Sequence, residues 1–335
     1  MDNILKQRKV KSKSLKYKNG AIPVSVQHMD QEPSKLTLNE GTTINSSCLN
    51  CYNLSCLTLK NDSIVMDELS SSQTNILCPT DAIVLNESGE VEINNKNCIG
   101  CGLCVVSCPI GAIYIGKDDV AVINRKNQHL EITNEPFHLE SHAIESSSPV
   151  IQENENKFRK IINLIDGLLT RTSVLNRLVC KSLQLTGLNT NLTRQGDVNL
   201  RMDAISVYNG DYILVEIEHM ASLDSPRDIL DDFAVFCSRY NKDKNKTSGV
   251  IVLTELPNKR TEYWELITDI EKVVKVRIAT LPLSALLVSV WSRSQLNLND
   301  FYLGNNNTSA RNAISKILGR SIRIPDKNNL IEASK

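Results

Sequence analysis

The stretch that decides the fold reads Cys98-Ile-Gly-Cys101-Gly-Leu-Cys104-Val-Val-Ser-Cys108-Pro109. Thiolates this closely spaced can curl around one face of a metal cluster, because Gly100 and Gly102 can adopt positive φ angles without steric strain. Eight of the ten cysteines lie between Cys48 and Cys108. We therefore expect this region to ligate metal rather than to form disulfides.

The spacing C-x2-C-x2-C-x3-C-P is typical of chains that hold a cubane iron–sulfur cluster. In such motifs the fourth cysteine, here Cys108, reaches away to a second cluster. Pro109 suits the start of a helix, where no backbone donor is lost. A zinc site is the alternative, but zinc ribbons usually use two well-separated cysteine pairs. The closely spaced run followed by proline favours iron and sulfur.

An internal repeat extends this pattern toward the N-terminus. The segment Cys78-Pro79-Thr80-Asp81-Ala82-Ile83 matches Cys108-Pro109-Ile110-Gly111-Ala112-Ile113 at an offset of 30 residues. Each copy continues into β-branched or aromatic residues, Val84-Leu85 and Tyr114-Ile115, which predict short strands. Upstream, Cys48, Cys51 and Cys56 complete a distorted first copy of the cysteine motif.

At these residues the chain resembles the bacterial two-cluster ferredoxins, over about residues 41–118. The resemblance implies two [4Fe-4S] clusters with crossed ligation. One cluster would be held by Cys48, Cys51, Cys56 and Cys108, and the other by Cys98, Cys101, Cys104 and Cys78. Two departures from the family pattern affect the first cluster. Four residues separate Cys51 from Cys56, and the segment between Cys56 and Cys78 is about twenty residues longer than a compact repeat allows. This cluster could therefore be a three-iron or labile site.

Composition bounds the remaining possibilities. Apolar residues make up 41% of the 335 residues and charged residues 23%, which excludes a collagen-like, coiled-coil or fully disordered chain. No window approaches the roughly 20 apolar residues of a membrane span, and the basic N-terminus lacks the apolar core of a secretory signal. We therefore expect a cytoplasmic protein with no membrane partner. Residues 1–18 carry seven basic residues and one acidic, whereas residues 41–120 carry three basic and nine acidic.

From Lys157 onward the pattern is that of an α/β domain. Periodicity predicts helices over 157–169, 172–186 and 261–272, a helix that begins near Ser225, a helix that opens at Pro282 and a capped helix over 308–319. Runs of β-branched residues predict strands over 249–253 and 273–279. Asn209-Gly210 is a strong signal for a two-residue hairpin turn.

That hairpin would bring acidic side chains together. If the turn forms, paired positions sum to 419, so that Asp203 faces Glu216 and Arg201 faces Glu218 on one face of the sheet. Opposed carboxylates repel unless a cation lies between them, and Mg²⁺ or Mn²⁺ suits such oxygen ligands. The alternative is that Arg201 bridges both glutamates while Asp203 points to solvent.

The order of elements around this hairpin resembles the restriction-endonuclease-like fold of the PD-(D/E)xK nucleases, over about residues 157–295. The resemblance implies that Asp203 and Glu216 bind the metal. It also implies catalytic roles for Asp203, Glu216 and Glu218. Glu218 stands where the family usually has lysine, so the site could be an active variant or one that has lost hydrolysis.

The fold class expected is therefore an α+β ferredoxin-like dicluster domain followed by an α/β restriction-endonuclease-like domain. The domains expected are a basic N-terminal arm (1–40), a dicluster ferredoxin domain (41–118), a linker (119–156), a nuclease-like domain (157–295) and a helical C-terminal appendage (296–335).

Three functional hypotheses follow. The first is an iron–sulfur, Mg²⁺- or Mn²⁺-dependent DNA nuclease, for which the basic arm and Lys242, Lys244 and Lys246 could contact phosphates. The second is an electron-transfer ferredoxin with a domain that docks a redox partner or other subunits. The third is a non-catalytic nucleic-acid-binding subunit. The hairpin carboxylates favour the first, Glu218 keeps the third open, and the acidic ferredoxin region keeps the second open.

Overall fold

The chain forms two units in the computed structural model: residues 1–60 with 75–152, and residues 61–74 with 153–335. The structure describes residues 43–44, 54–59, 71–72, 76–87, 90–108, 113–115, 120–123, 130–131, 155–168, 171–193, 201–291, 294–302, 310–318, 329–331 and 333. None of the helices among these residues is long and apolar enough to cross a membrane.

The first unit is built on a repeated two-stranded hairpin. Its elements are β1 (Thr43–Ile44), β3 (Ile83–Leu85), β4 (Val91–Ile93), α1 (Leu103–Ser107), β5 (Ile113–Ile115), β6 (Ala121–Ile123) and β7 (Leu130–Glu131). Strands β3 and β4 pair antiparallel with Ile83 opposite Ile93, and β5 and β6 pair antiparallel with Ile113 opposite Ile123. The predicted strands are thus confirmed, and the 30-residue repeat extends to the partner strand of each copy.

The core of this unit is small and contains cysteine. Its buried members are Cys56, Ile83, Val91, Val105, Cys108, Ile113 and Ala121. Cys78, Cys98 and Cys104 pack partly buried against them. Cysteine ligation to a metal cluster would add to the stability of this core.

The second unit contains a six-stranded mixed sheet. Its strands are β2 (Ser71–Ser72), β8 (Asn189–Thr193), β9 (Ala204–Tyr208), β10 (Asp211–Met220), β11 (Thr247–Glu255) and β12 (Ile278–Pro282). Their order across the sheet is β12-β11-β10-β9-β8-β2. The first two neighbouring pairs, β12 with β11 and β11 with β10, are parallel, and the other pairs are antiparallel.

Helices with one apolar stripe accompany this sheet. They are α2 (Glu155–Asp166), α3 (Thr172–Leu185), α4 (Asp224–Arg239), α5 (Glu262–Val274), α6 (Leu283–Trp291) and α7 (Ala310–Leu318). Helix α6 is buried at every position, which explains why all its residues except Ser284 and Ser289 are apolar. Gly249 on β11 lets α4 approach closely, because a Cβ there would lie 2.6 Å from Ile229 Cγ2.

The long segment between Cys56 and Cys78 has a structural explanation. Residues 61–74 belong to the second unit, where Ser71 pairs with Thr193 and Ser72 with Leu192 at the edge of the sheet. The extra residues that interrupt the ferredoxin-like repeat therefore supply strand β2. The polar pair Ser71–Ser72 has no strand periodicity, so this strand was not predicted.

Two expectations differ from the structure. The strand predicted over 273–279 is present but begins later, at Ile278, because α5 continues to Val274 and ends at Lys275 in a left-handed conformation. The segment expected as a linker, 119–156, includes β6, which the second hairpin of the repeat needs as a partner for β5.

Candidate metal centre

Six cysteines of the first unit fall in the described part of the chain, namely Cys56, Cys78, Cys98, Cys101, Cys104 and Cys108. Cys48 and Cys51 lie outside the described residues. Burial raises the pKa of Cys104 well above its ordinary value, and negative charge on Cys101, Cys98, Cys56 and Cys78 raises it further. Four other sulfurs are therefore close enough to Cys104 to repel it as thiolates, which cationic iron would offset.

Cys101 lies between two glycines that shape the loop. Gly100 has φ 66° and Gly102 has φ 75°, a left-handed region in which other residues are strained. Burial raises the pKa of Cys101 to about 12, a backbone hydrogen bond at Leu103 opposes this, and charge on Cys78 and Cys98 adds to it. Gly102 precedes α1, which carries Cys104 in its first turn. The expected glycine conformations are confirmed.

Backbone amides donate hydrogen bonds to two of these sulfurs. The N–H of Ala82 lies 3.2 Å from Cys78 Sγ, and the N–H of Ala121 lies 3.3 Å from Cys98 Sγ. The hydroxyl of Thr80 lies 3.5 Å from Cys78 Sγ. Such donors stabilise negative charge on thiolate ligands and tune the reduction potential of iron–sulfur clusters.

Cys108 and Cys56 lie in the same apolar core. Cys108 follows α1 with an extended backbone, φ −69° and ψ 116°, and its N–H donates to the Val105 carbonyl. Its exposed fraction is 4%, and that of Cys56 is 3%. The helix predicted from Pro109 onward lies outside the described residues. In the other copy Pro79 and Thr80 form a turn rather than a helix.

The cysteine arrangement differs from that of a single-ion site. Within the described residues, no three His, Cys, Asp or Glu side chains surround one point in the manner of ligands to a single metal ion. In a cubane cluster each thiolate binds a different iron atom, so its ligands stand further apart than those of one tetrahedral ion.

The carboxylates of the second unit have the predicted register. Strands β9 and β10 pair around Asn209-Gly210 with Tyr208 opposite Asp211 and Ala204 opposite Val215, so that paired positions sum to 419. The ladder ends at Ala204, and Asp203 lies just beyond it. The Asn176 amide donates to Asp203 Oδ1 at 2.7 Å, and the Ile217 N–H donates to Oδ2 at 2.9 Å. Beyond Ala204, where β9 no longer pairs with β10, Asp203 thus bonds to β10 through its side chain.

Among Asp203, Glu216 and Glu218, Glu216 has the pKa that is raised furthest above its ordinary value. Burial, followed by repulsion from Asp203, Asp232, Glu218 and Asp228, raises its pKa to about 9. Its Oε2 is buried and has no hydrogen-bond partner among the described residues. Burial also raises the pKa of Glu218, opposed by a 2.5 Å hydrogen bond from Ser225 Oγ to Glu218 Oε2. Burial and the neighbouring acids therefore favour the protonated form of Glu216.

Arg201 does not bridge the two glutamates. Its backbone N–H donates instead to Asp232 Oδ1 at 3.3 Å. Asp232 has an exposed fraction of only 2%, and burial raises its pKa to about 6. The sequence analysis missed this residue, although its spacing of four from Asp228 on α4 could have indicated a shared helix face. Asp203 likewise points into the protein rather than to solvent.

Comparisons with known proteins point to the first unit. A family model described as a 4Fe-4S binding domain matches residues 91–114, so the chain contains such a domain. The chain is 47% identical over 45 residues to an uncharacterized ferredoxin of Methanocaldococcus jannaschii, which is 13% of this chain and 28% of that protein.

Two further relatives are subunits of reductases. The B subunit of polysulfide reductase from Wolinella succinogenes is 32% identical over 101 residues, 28% of this chain and 42% of the relative. The thiosulfate reductase electron transfer subunit of Salmonella typhi is 28% identical over 96 residues, 29% of this chain and 41% of the relative. In each case the match spans less than half of the relative's length.

These matches overturn the nuclease hypothesis, which is wrong. The related proteins are iron–sulfur proteins and reductase subunits, and they give no support to a hydrolase, a DNA partner, Mg²⁺ or Mn²⁺, or a restriction-endonuclease-like unit. The structure shows what the hairpin carboxylates bind instead of a metal ion. Asp203 accepts hydrogen bonds from Asn176 and Ile217, and Glu218 accepts one from Ser225. Asp203 and Glu218 thus have protein hydrogen-bond partners, whereas Glu216 Oε2 has none among the described residues. The comparisons do not bear on whether Asp203, Glu216 and Glu218 are catalytic.

Proposed function

We propose that this chain is an electron-transfer protein whose first unit holds two [4Fe-4S] clusters. The observation that carries the proposal is the grouping of Cys56, Cys78, Cys98 and Cys101 around Cys104, with backbone amides directed at two of the sulfurs. The match of residues 91–114 to a 4Fe-4S binding domain and the related reductase subunits support it.

The ligands are divided between the clusters in a crossed pattern. Cys98, Cys101 and Cys104 hold one cluster together with Cys78, whose charge acts on both Cys101 and Cys104. Cys48, Cys51, Cys56 and Cys108 hold the other. The shared core around Cys56 and Cys108 supports the second set, and the internal repeat supports both.

The chain's own residues hold and tune these groups. When bound, the clusters supply one-electron uptake from a donor and release to an acceptor, with no covalent bond formed or broken. The N–H groups of Ala82 and Ala121 stabilise added negative charge on the sulfur ligands. The buried side chains of Val105 and Ile113 exclude water from the same core.

The partner we propose is another subunit of a multi-subunit oxidoreductase. The relatives named as reductase subunits support this, and the excess of acidic residues over 41–120 would steer a partner with a basic contact face. The second unit then serves to dock that partner. We place the protein in the cytoplasm.

The experiment is anaerobic purification of the full chain followed by redox spectroscopy. We expect about eight iron atoms and eight acid-labile sulfides per chain, and electron paramagnetic resonance signals on dithionite reduction that disappear when a basic c-type cytochrome is added as electron acceptor. Cytochrome reduction should slow as salt rises. Bound zinc without labile sulfide, or clusters that do not reduce the cytochrome, would refute the proposal.

A further inference from the structure

The second unit contains a pocket that neither the clusters nor the carboxylates use. It has a volume of about 570 Å³ and lies where β11 and β12 begin, bordered by the Asn209-Gly210 turn of the hairpin. Along β10 it reaches Asp211 and Ile213, about 10 Å from Glu216 at the usual rise per residue. This volume falls in the range of small-molecule sites.

The pocket lining is strongly cationic although the whole chain has no net charge. Lys244, Lys246, Lys275 and Arg277 line it, and Asp211 is the one acidic residue of the lining. Within the described residues, no acidic side chain forms an ion pair with any of the three lysines, whereas Arg277 Nε lies 3.8 Å from Glu271 Oε1. All four cations are solvent-exposed, and an anion in this concavity would be attracted to each of them.

The guanidinium group in the pocket is held in place before any ligand arrives. Arg277 stacks on the Tyr302 ring at 3.9 Å from its centroid, and its Nη2 donates to Asn299 Oδ1 at 3.5 Å. The Tyr302 hydroxyl in turn donates to Ser248 Oγ at 3.3 Å. A fixed guanidinium fork suits the oxygen atoms of a phosphate group.

Lys275 occupies a backbone position that favours glycine. It ends α5 with φ 64° and ψ 26°, a left-handed conformation in which glycine or asparagine is usual. Its side chain lines the pocket. A lysine at a strained position fits a need for its charge there.

We propose that this pocket binds a small organic polyphosphate of the size of a nucleoside diphosphate. The four cations match several phosphate charges. The exposed Tyr208 ring and the side chain of Leu298 provide surface for a planar or apolar body. A pocket of this volume does not admit a nucleic-acid duplex.

The test is calorimetric titration of the cluster-loaded full chain with ADP, inorganic pyrophosphate and a short DNA duplex. We expect saturable binding of ADP with a Kd below about 1 mM and weaker binding of pyrophosphate, which competes for the same site. Lack of saturable ADP binding overturns the proposal. If pyrophosphate binds as tightly as ADP, the proposal that the ligand has an organic body is overturned. If the duplex displaces ADP, the proposal that the ligand is a small molecule is overturned.

Matched variants distinguish the loss of a positive charge from a failure to fold. Lys275→Gly removes the cation and relieves the backbone, so it should fold normally and bind ADP at least tenfold more weakly. Asn241→Gly, at a positive φ of 49° outside the pocket lining, should bind as the parent does. Unchanged binding in both Lys275→Gly and Arg277→Gln would overturn the proposal. Cluster signals should be identical in all variants, so this test fails independently of the electron-transfer function.

Discussion

The backbone N–H of Ala82 donates a hydrogen bond to Cys78 Sγ over 3.2 Å. Ala82 directly precedes β3, so the strand fixes the donor while the Pro79–Thr80 turn fixes the sulfur. Ala121 N–H and Cys98 Sγ repeat the relationship at the start of β6. The hairpins of the repeat thus direct amides at two of the proposed ligands.

Thr80 adds a donor that can be removed without disturbing the backbone. A thiolate bound to iron only accepts hydrogen bonds, so the Thr80 hydroxyl, 3.5 Å from Cys78 Sγ, is its donor. Thr80→Val should lower the reduction potential of one cluster, because the reduced form loses stabilisation. Protein-film voltammetry measures this. Thr268→Val, whose hydroxyl bonds the Trp264 carbonyl in the second unit, is the control. An unchanged or higher potential for Thr80→Val would contradict the assignment.

Asp203 has a structural role that can be measured as stability. Asp203→Ala leaves the Ile217 N–H without its acceptor and should lower the free energy of unfolding by about 1–3 kcal/mol. Urea unfolding followed by circular dichroism measures the change. Asp269→Ala, an exposed site on α5, should have little effect. Equal effects of the two substitutions would show that the hydrogen bonds to Asp203 contribute nothing.

Glu216 should make stability fall with rising pH. Its pKa is raised from an ordinary 4.5 to about 9, first by burial and then by neighbouring acids, so folding favours the protonated form. Its favourable contribution is complete below the unfolded pKa and is lost as pH rises toward the folded one.

Glu216→Gln should therefore flatten the fall in unfolding free energy between about pH 5 and pH 8, and raise stability at the upper end of that range. Urea unfolding across this range is the measurement, with Glu265→Gln, an exposed site on α5, as the control. A fall as steep as that of the parent protein would mean that Glu216 is not the titrating group.

Gly249 should be intolerant of a methyl group. A Cβ at this position would lie 2.6 Å from Ile229 Cγ2, so Gly249→Ala should cost about 1–3 kcal/mol of stability through overpacking. In an Ile229→Ala background the same substitution should be neutral or stabilising, because the colliding methyl is gone. Thermal unfolding of the four proteins gives the coupling. Additive effects would rule out the contact between α4 and β11 as the cause.

Local patterns in the sequence were enough to predict the hairpin of the second unit and one strand of each hairpin in the first unit. The Asn209-Gly210 turn fixed the register of β9 and β10, because a two-residue turn leaves only one pairing. The repeat around Cys78 and Cys108 predicted β3 and β5, since the same short pattern must satisfy the same local geometry twice.

Features that depend on distant parts of the chain could not be predicted in this way. Val273 and Val274 were assigned to a strand because they are β-branched, but α5 retains them, 80% and 50% exposed, until Lys275 ends the helix. The hydrogen bond from Ile217 to Asp203 exists because β9 stops at Ala204, which pairing arithmetic does not reveal.

The incorrect nuclease hypothesis also arose because contacts between distant parts of the chain are not visible in the sequence. A hairpin that brings Asp203 near Glu216 was interpreted as a cation site, because opposed carboxylates need a compensating group. The structure supplies donors from Asn176 and Ile217 to Asp203, and the surroundings of Glu216 raise its pKa, which favours the protonated form. The cysteine motif was the more informative signal because its spacing alone specifies cluster chemistry.

The crossed assignment of ligands is tested most directly by electron paramagnetic resonance of four single variants after anaerobic reduction. We predict that Cys78→Ser and Cys104→Ser, which are 26 residues apart in the sequence, abolish or convert the same cluster signal. Cys108→Ser should alter the other signal, and Cys237→Ser in the second unit should alter neither. If Cys78→Ser and Cys108→Ser affected one signal while Cys104→Ser affected the other, the account would be contradicted.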